Sequence, residues 1–338
     1  MSEKNYFDFN NLKHIYFLGA VNFFKKLTDI NKKLKLTTNI ITSSHQAKEL
    51  KLNNNIKILD KIDDKFKKTI EKNVNKKNTL FISLGARWIF KKNTIKNLFN
   101  NNLVNFHGTR LPYDSGGGGH SWKIMRQDRI DNQLVHIVDE GVDTGPVLYN
   151  KARVIPHKYK LPSEIEEFRV ENFLIFYEEF IKKLLLKGKF LKKFQPHYLG
   201  RYNPRLNTKI NGWIDWSLNS YDLINFINAF DDPYSGASTM INNQKVFIKK
   251  AQLHGGESPN HPFMTGIISR HDKNWLIVST KDKNSLIIEV INDIKGKNII
   301  SDFNNGDRFY TPIKYLENAK NQRIIYRSKG LFNKIKNK

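Results

Sequence analysis

Cysteine is absent from the 338 residues, which excludes disulfides, thiolate nucleophiles and cysteine-based zinc sites. Long apolar runs are absent too. None reaches the roughly 18 residues of a membrane span, so no membrane partner is expected. The first residues, MSEKNYFDFNNLKH, lack the basic-then-apolar layout of a signal peptide, and the expected location is the cytoplasm. Acidic residues are scarce beside basic ones: 32 Asp and Glu against 57 Lys and Arg, a formal net charge of +25. Such an excess suits a polyanionic partner such as tRNA, because Lys and Arg neutralise phosphates. It also suits a chain simply rich in Lys, Asn and Ile. The runs INKKLKLTTN, NVNKKN and FNNNL carry no interleaved aromatics and read as solvated surface, which favours the second explanation.

The chain is long enough for two ordinary domains. Residues 14–155 alternate strand and helix patterns. HIYFLG (14–19), LTTNIITS (36–43), NIKIL (55–59), TLFISLG (79–85) and LVNFH (103–107) are the strand candidates. AVNFFKKLTDINKKL, DDKFKKTIEKNV and KKNTIKNLF are the helical stretches between them. This alternation predicts an α/β fold with a Rossmann-like, mainly parallel sheet, whose sites form at the carboxyl ends of strands. A long helix is predicted over 161–189, opened by Pro162 and Ser163 and ended by Gly188. Beyond it one helix, YDLINFINAF (221–230), precedes short strands separated by polar turns. That series predicts a small carboxyl-terminal β-barrel. The boundary falls within about 190–210, dividing the chain into 1–195, 196–325 and a loose basic tail, 326–338.

The stretch VNFHGTRLPYDSGGGGHSW (104–122) holds the conspicuous chemistry. Its glycine run, Gly116–Gly119, has neither the GxxxxGK[ST] spacing nor a strand directly before it, so a phosphate cradle is disfavoured. Four glycines permit close backbone approach or positive φ, and a mobile surface loop is the plain alternative. Asn105 and His107 alternate around Phe106 at a strand end, so their side chains share a face. QLVHIVDEGVDTGPVLY (133–149) brings another strand and then Asp143. An amide, an imidazole and a carboxylate can together run acyl transfer to an amine. The amide donates to a developing oxyanion, the imidazole stabilises it or moves protons, and the carboxylate holds the imidazole charged or accepts the amine proton. Asn and His at a strand end are also compatible with a purely structural role. His136 could point into the site or be a buried strand histidine.

Together, NFHGTRLP, GGGGHSW and LVHIVDEGVDTG resemble the core of the 10-formyltetrahydrofolate-dependent formyltransferases. The matching features are Asn105, His107, Leu111-Pro112, His136 and Asp143-Thr144-Gly145. NGWIDWS (211–217) and FINAFDDPYSGAST (226–239) resemble the carboxyl-terminal domain of the methionyl-tRNA and sugar-nucleotide members. The resemblance is good over about 103–253 and patchy over 14–90. It implies that Asn105 polarises the formyl oxygen, that His107 is its charged or proton-donating partner, and that Asp143 sets the protonation of His107. It further implies that Thr109, Arg110, Leu111 and Pro112 contact the folate. Leu84, Gly85 and Arg87, with Asp139 and Glu140, would surround the pterin largely through backbone groups.

Three departures bear on the acceptor. The segment from Gly19 to His107 is shorter than in methionyl-tRNA enzymes, Gly108 stands where those carry Pro, and YDSGGGGHSW and Arg110 replace the usual residues. The resemblance therefore points to an amine-bearing nucleotide-sugar acceptor with 10-formyltetrahydrofolate as formyl donor. Methionyl-tRNA is the second acceptor, and a non-catalytic basic binding module the third reading. A homodimer is compatible with all three. No metal is expected, since His254, His261 and His271 lack ligand spacing. Trp213 and Trp216 read as packing anchors between the domains, and GDRFYTP (306–312) suggests no chemistry.

Overall fold

A computed structural model of the chain describes residues 5–50, 56–73, 75–117, 119–256, 260–327 and 330–332. The first half runs β1 (Tyr6–Asp8), β2 (His14–Leu18), α1 (Phe24–Lys33), β3 (Thr37–Thr42), α2 (Ser44–Glu49), β4 (Ile56–Ile58), α3 (Asp64–Asn73) and β5 (Thr79–Ser83). It continues through α4 (Lys92–Asn97), β6 (Leu103–His107), β7 (Ser115–Gly116), α5 (Gly119–Met125), β8 (Ile130–Ile137), β9 (Val147–Val154) and α6 (Pro162–Lys187). Seven of these strands form one sheet in the order β4-β3-β2-β5-β6-β8-β9. β4 through β6 are parallel, and β8 and β9 extend the sheet antiparallel. The α/β expectation holds in this mixed form. Every residue of β5, TLFIS, is buried, as a central strand covered on both faces requires.

Side-chain alternation sorts the strands onto two cores. Ile15 and Phe17 join Phe106 and the α6 residues on one face, while Tyr16 and Leu18 join Phe66, Phe81 and Phe99 on the other. The amino end of α6 is held by the Glu164 carboxylate, which accepts the N–H groups of Lys160 and Leu161 at 2.6 and 2.9 Å. Its carboxyl end stops at Gly188, in the left-handed region at φ 59°. α5 was not anticipated. The last glycine of the run opens this helix, which docks on the following domain through Ser121 Oγ donating to the Ala229 carbonyl at 2.8 Å. Gly118 lies outside the described residues.

The second half runs β10 (Lys189–Leu191), β11 (Tyr202–Asn203), α7 (Thr208–Asn211), α8 (Ser220–Ala229), β12 (Ala237–Ile241), β13 (Gln244–His254), β14 (Ile268–His271), β15 (Leu276–Ser279), β16 (Ser285–Asn292), α9 (Ile313–Asn321), β17 (Ile325–Arg327) and β18 (Gly330–Phe332). Five strands form an antiparallel sheet in the order β12-β13-β16-β15-β14. β12 and β14 are the edges of this five-stranded sheet. The segment GDRFYTP acquires a role here. Tyr310 bridges Met240 beside one sheet edge, and Arg308 bridges Ile267 beside the other. Trp213 and Trp216 make their ring contacts within this half, and Trp216 belongs to a buried cluster that also takes in Ile124, Ile155 and Ile165 of the first half. Trp213 stacks on Tyr315 at 4.5 Å, and Trp216 stacks on Phe309 at 5.6 Å while its Nε1–H donates to Thr239 Oγ1. The start of the expected loose tail is ordered, since β17 pairs antiparallel with β18. Residues 333–338 lie outside the described part. No helix among the described residues is long and apolar enough to cross a membrane.

Candidate active site

Phe106 aims the site. Its ring sits among Phe173, Phe176, Tyr177 and Phe180 of α6, with centroids 5.6, 6.0, 5.4 and 5.5 Å away. Alternation along β6 then turns Asn105 and His107 to the opposite face. There they line a cavity of about 440 Å³ at the carboxyl ends of β5 and β6, within the roughly 300–1,000 Å³ of small-molecule sites. On β8, His136 lies directly opposite Asn105, beside an irregularity in register at Val135/His136.

The hydrogen bonds assign protons. His136 Nδ1–H donates to its neighbour's carbonyl, Ile137 O, at 2.8 Å. Its Nε2 therefore accepts from the Asn105 amide, 3.0 Å away. An amide has two N–H donors, so the second N–H of Asn105 remains for another acceptor. On His107 the arrangement is reversed. Thr109 Oγ1 donates to the Asp114 carbonyl and lies 2.6 Å from His107 Nε2. Nε2 is thereby the donor and Nδ1 carries the lone pair.

Asp143 completes the group. Its Oδ1 is 3.7 Å from both His107 Nδ1 and His136 Nε2, too long for a direct hydrogen bond but near enough for the carboxylate to stabilise positive charge on a protonated His107. The residue sits at φ 58°, a region that Asp tolerates better than most residues. Gln195 Nε2 holds this loop by donating to the carbonyls of Asp143 at 3.1 Å and Gly145 at 2.6 Å. Gly145 must lack a side chain, because a Cβ there would lie 1.8 Å from Ile137 O.

Burial pushes the His107 imidazole down to about 4, although the Asp143 carboxylate beside it pulls the other way. His107 is thus neutral at pH 7. Burial pushes the Asp143 carboxyl up. The two imidazoles and the Gly116 N–H outweigh it and hold the group below the usual carboxylate range. The result is an ionised carboxylate beside a neutral imidazole whose Nδ1 can take a proton, next to an amide N–H that can stabilise negative charge.

Of the residues singled out in the sequence, Asn105, His107, Asp143, Gly85, Arg87 and Asp139 line this one cavity. Thr109 stands behind His107. Arg110 is turned away, paired with Asp114 at 3.6 Å and Asp128 at 3.3 Å. Leu111 and Pro112, joined by a cis peptide, form a turn outside the lining. Leu84 is buried in the core, and Glu140 is exposed, 4.0 Å from Lys92. Arg87 is tied back to Glu49 at 2.7 Å and His45 at 2.8 Å.

Other contributors carried no local signal in the sequence. Gln195 is fifty positions from the loop it braces. Arg169 of α6 occupies the space a side chain at Gly108 would need, its Nη2 only 1.7 Å from where a Cβ would lie. Tyr202, Arg205 and residues 323–325 close the cavity from far along the chain.

The family model for the formyl transferase carboxyl-terminal domain matches residues 207–308. The chain is similar to the methionyl-tRNA formyltransferase of Clostridium perfringens, with 26% identity over 263 residues, 77% of this chain and 82% of that protein. Among solved structures it resembles WlaRD, a sugar 3N-formyl transferase crystallised in the presence of dTDP and 5-N-formyl-THF. The TM-score is 0.59 and the identity 19%, covering 83% of this chain and 98% of that one. It also resembles the N-formyltransferase of Helicobacter canadensis in complex with folinic acid and dTDP-3-aminofucose. There the TM-score is 0.59 and the identity 17%, covering 82% and 99% of the two chains.

Proposed function

The chain belongs to the superfamily of 10-formyltetrahydrofolate-dependent formyltransferases, and from that premise we propose how its site works and which amine it serves. It is a formyltransferase with 10-formyltetrahydrofolate as formyl donor. The acceptor is the primary amine of a nucleotide-linked amino sugar. The observation that carries this reading is the convergence of Asn105, His107 and Asp143 on one cavity of about 440 Å³, closed on one side by the chain's own residues 323–325. A site of that size and closure suits a small-molecule acceptor.

In this reading the folate supplies the formyl group, and the backbone around Gly85 and Arg87, with Asp139, holds its ring system. The second N–H of Asn105 donates to the formyl oxygen as negative charge develops there. His107 Nδ1 accepts the proton lost by the attacking amine and returns it to the departing nitrogen. Asp143 stabilises the imidazolium meanwhile. Thr109 keeps the other imidazole nitrogen protonated, and His136 orients the Asn105 amide. Residues 1–195 carry this chemistry in the cytoplasm. Residues 196–325 form a barrel closed through the bridges of Arg308 and Tyr310, a reading supported by their pairing beside both edges of the five-stranded sheet.

The test is a steady-state assay with 10-formyltetrahydrofolate and a panel of amino-sugar nucleotides, following tetrahydrofolate. Turnover with at least one is expected, and no turnover with any would end the sugar reading. A second reading, methionyl-tRNA as acceptor, is favoured by the +25 charge and by the similarity to methionyl-tRNA formyltransferases. It predicts formylation of charged tRNA, weakening steeply with salt.

A further inference from the structure

The cavity has a wall that the chemistry above does not use, built from Gly116, Gly117, Tyr202, Arg205 and Arg323. Backbone pairing brings these distant residues together. β11 runs parallel to β7, with Tyr202 opposite Ser115 and Asn203 opposite Gly116. An antiparallel bridge then joins Arg205 to Ile324, which sets the neighbouring Arg323 guanidinium 5.4 Å from the centre of the Tyr202 ring.

The two glycines make this approach possible. Gly116 has φ 96°, and a Cβ on it would lie 2.3 Å from Asn203 O. A Cβ on Gly117 would lie 2.1 Å from Arg205 Cγ, so any side chain there would move Arg205. Both arginines are exposed at the rim.

We propose that Arg205 and Arg323, with Tyr202 beside them, form a subsite for the diphosphate of a nucleotide-linked acceptor. The proposal rests on the reading of formyl transfer to a small amine and names the residues that would select it. Two planar guanidinium forks at one rim match the geometry and charge of phosphate oxygens. The exposed face of an aromatic ring offers stacking to a base.

Carboxylates on the folate's glutamate tail share the negative charge, and titrations of the full chain separate the two sources. The probes are uridine diphosphate, thymidine diphosphate, and folinic acid in monoglutamate and triglutamate forms. The wild type should bind at least one nucleoside diphosphate. Arg205→Ala and Arg323→Ala should each weaken that binding about tenfold, consistent with loss of a charge-assisted hydrogen bond. Both forms of folinic acid should bind unchanged, which also shows that the variants fold. Arg323→Lys should recover part of the affinity, and the alanine variants should raise the acceptor KM more than they lower kcat.

Unchanged nucleoside diphosphate affinity in the double alanine variant would overturn the proposal, as would absence of such binding in the wild type. Selective loss of triglutamate binding would assign the arginines to the donor instead. Loss confined to tRNA affinity would assign them to that acceptor and equally overturn it. Arginine-dependent nucleoside diphosphate binding, without formylation of any amino-sugar nucleotide, would leave the subsite standing while the proposed acceptor reading falls.

Discussion

The Thr109 hydroxyl stands 2.6 Å from His107 Nε2 and gives its own proton to the Asp114 carbonyl. A hydroxyl committed in this way can only accept from the ring. His107 consequently keeps its proton on Nε2 and presents a lone pair on Nδ1, 3.7 Å from Asp143 Oδ1. The tautomer is set by a residue two positions along the chain, on the side of the ring away from the carboxylate.

Replacing that hydroxyl should expose its role. Thr109→Val keeps the shape of the side chain but removes the acceptor, and kcat is expected to fall by about tenfold with little change in either KM, one hydrogen bond to a reacting group being worth roughly that factor. His107→Ala should cost more, about 10²–10³-fold in kcat. Steady-state rates of the two variants check the order, and an unchanged rate in His107→Ala would remove the imidazole from the mechanism.

Burial holds the His107 imidazole down at about 4, and this sets two pH profiles. The acid limb of kcat should fall near pH 4–5 and not near the ordinary histidine value of about 6.5. Stability should follow the same displacement. The folded pKa lies below the unfolded one, so the unfolded chain binds the proton first, and stability is lost as pH falls from about 6.5 toward 4. The full difference is about 3 kcal/mol. Denaturant unfolding at pH 7 and pH 4 should show His107→Gln losing less stability than the wild type by about that amount. Parallel losses would mean that the imidazole titrates normally.

Phe106→Ala should destabilise the fold by about 3–5 kcal/mol, the range for deleting a fully packed aromatic ring. Activity should fall with it, because the same ring fixes the direction of Asn105 and His107. Phe106→Leu, which keeps most of the apolar volume, should cost far less in thermal or denaturant unfolding. Equal losses in the two variants would show that packing volume is not what anchors the strand.

Gln195→Ala leaves two loop carbonyls without their donor, and a loss of about 1–3 kcal/mol in stability is expected. Since those carbonyls belong to Asp143 and Gly145, kcat should also drop while substrate affinities stay near wild type. Gly145→Ala should be worse, with its new methyl 1.8 Å from the Ile137 carbonyl oxygen. Retention of full kcat in Gln195→Ala would show that the loop holds Asp143 without this brace.

The strands of the first sheet were legible because they are short apolar runs between polar helices, and HIYFL and TLFIS fold where their pattern places them. Asn105 and His107 were legible for a local reason as well, since period-two alternation needs no knowledge of the rest of the chain. Local pattern misled at the glycine run. Four glycines read as loop, yet the last of them opens α5 because the helix gains its stability from docking on α8. The bridges beside the second sheet were hidden for a similar reason, as Arg308 and Tyr310 make single pairings too brief to leave a strand pattern.

By itself the sequence determined the α/β order of elements, the face shared by Asn105 and His107, and the resemblance carried by Asp143 and its neighbours. These follow from spacing along the chain. The protonation of His107, the bracing of Asp143 by Gln195 and the approach of Tyr202, Arg205 and Arg323 were decided in three dimensions. Burial and hydrogen-bond direction are properties of a packed interior, and they exist only once residues far apart in sequence have been brought into contact.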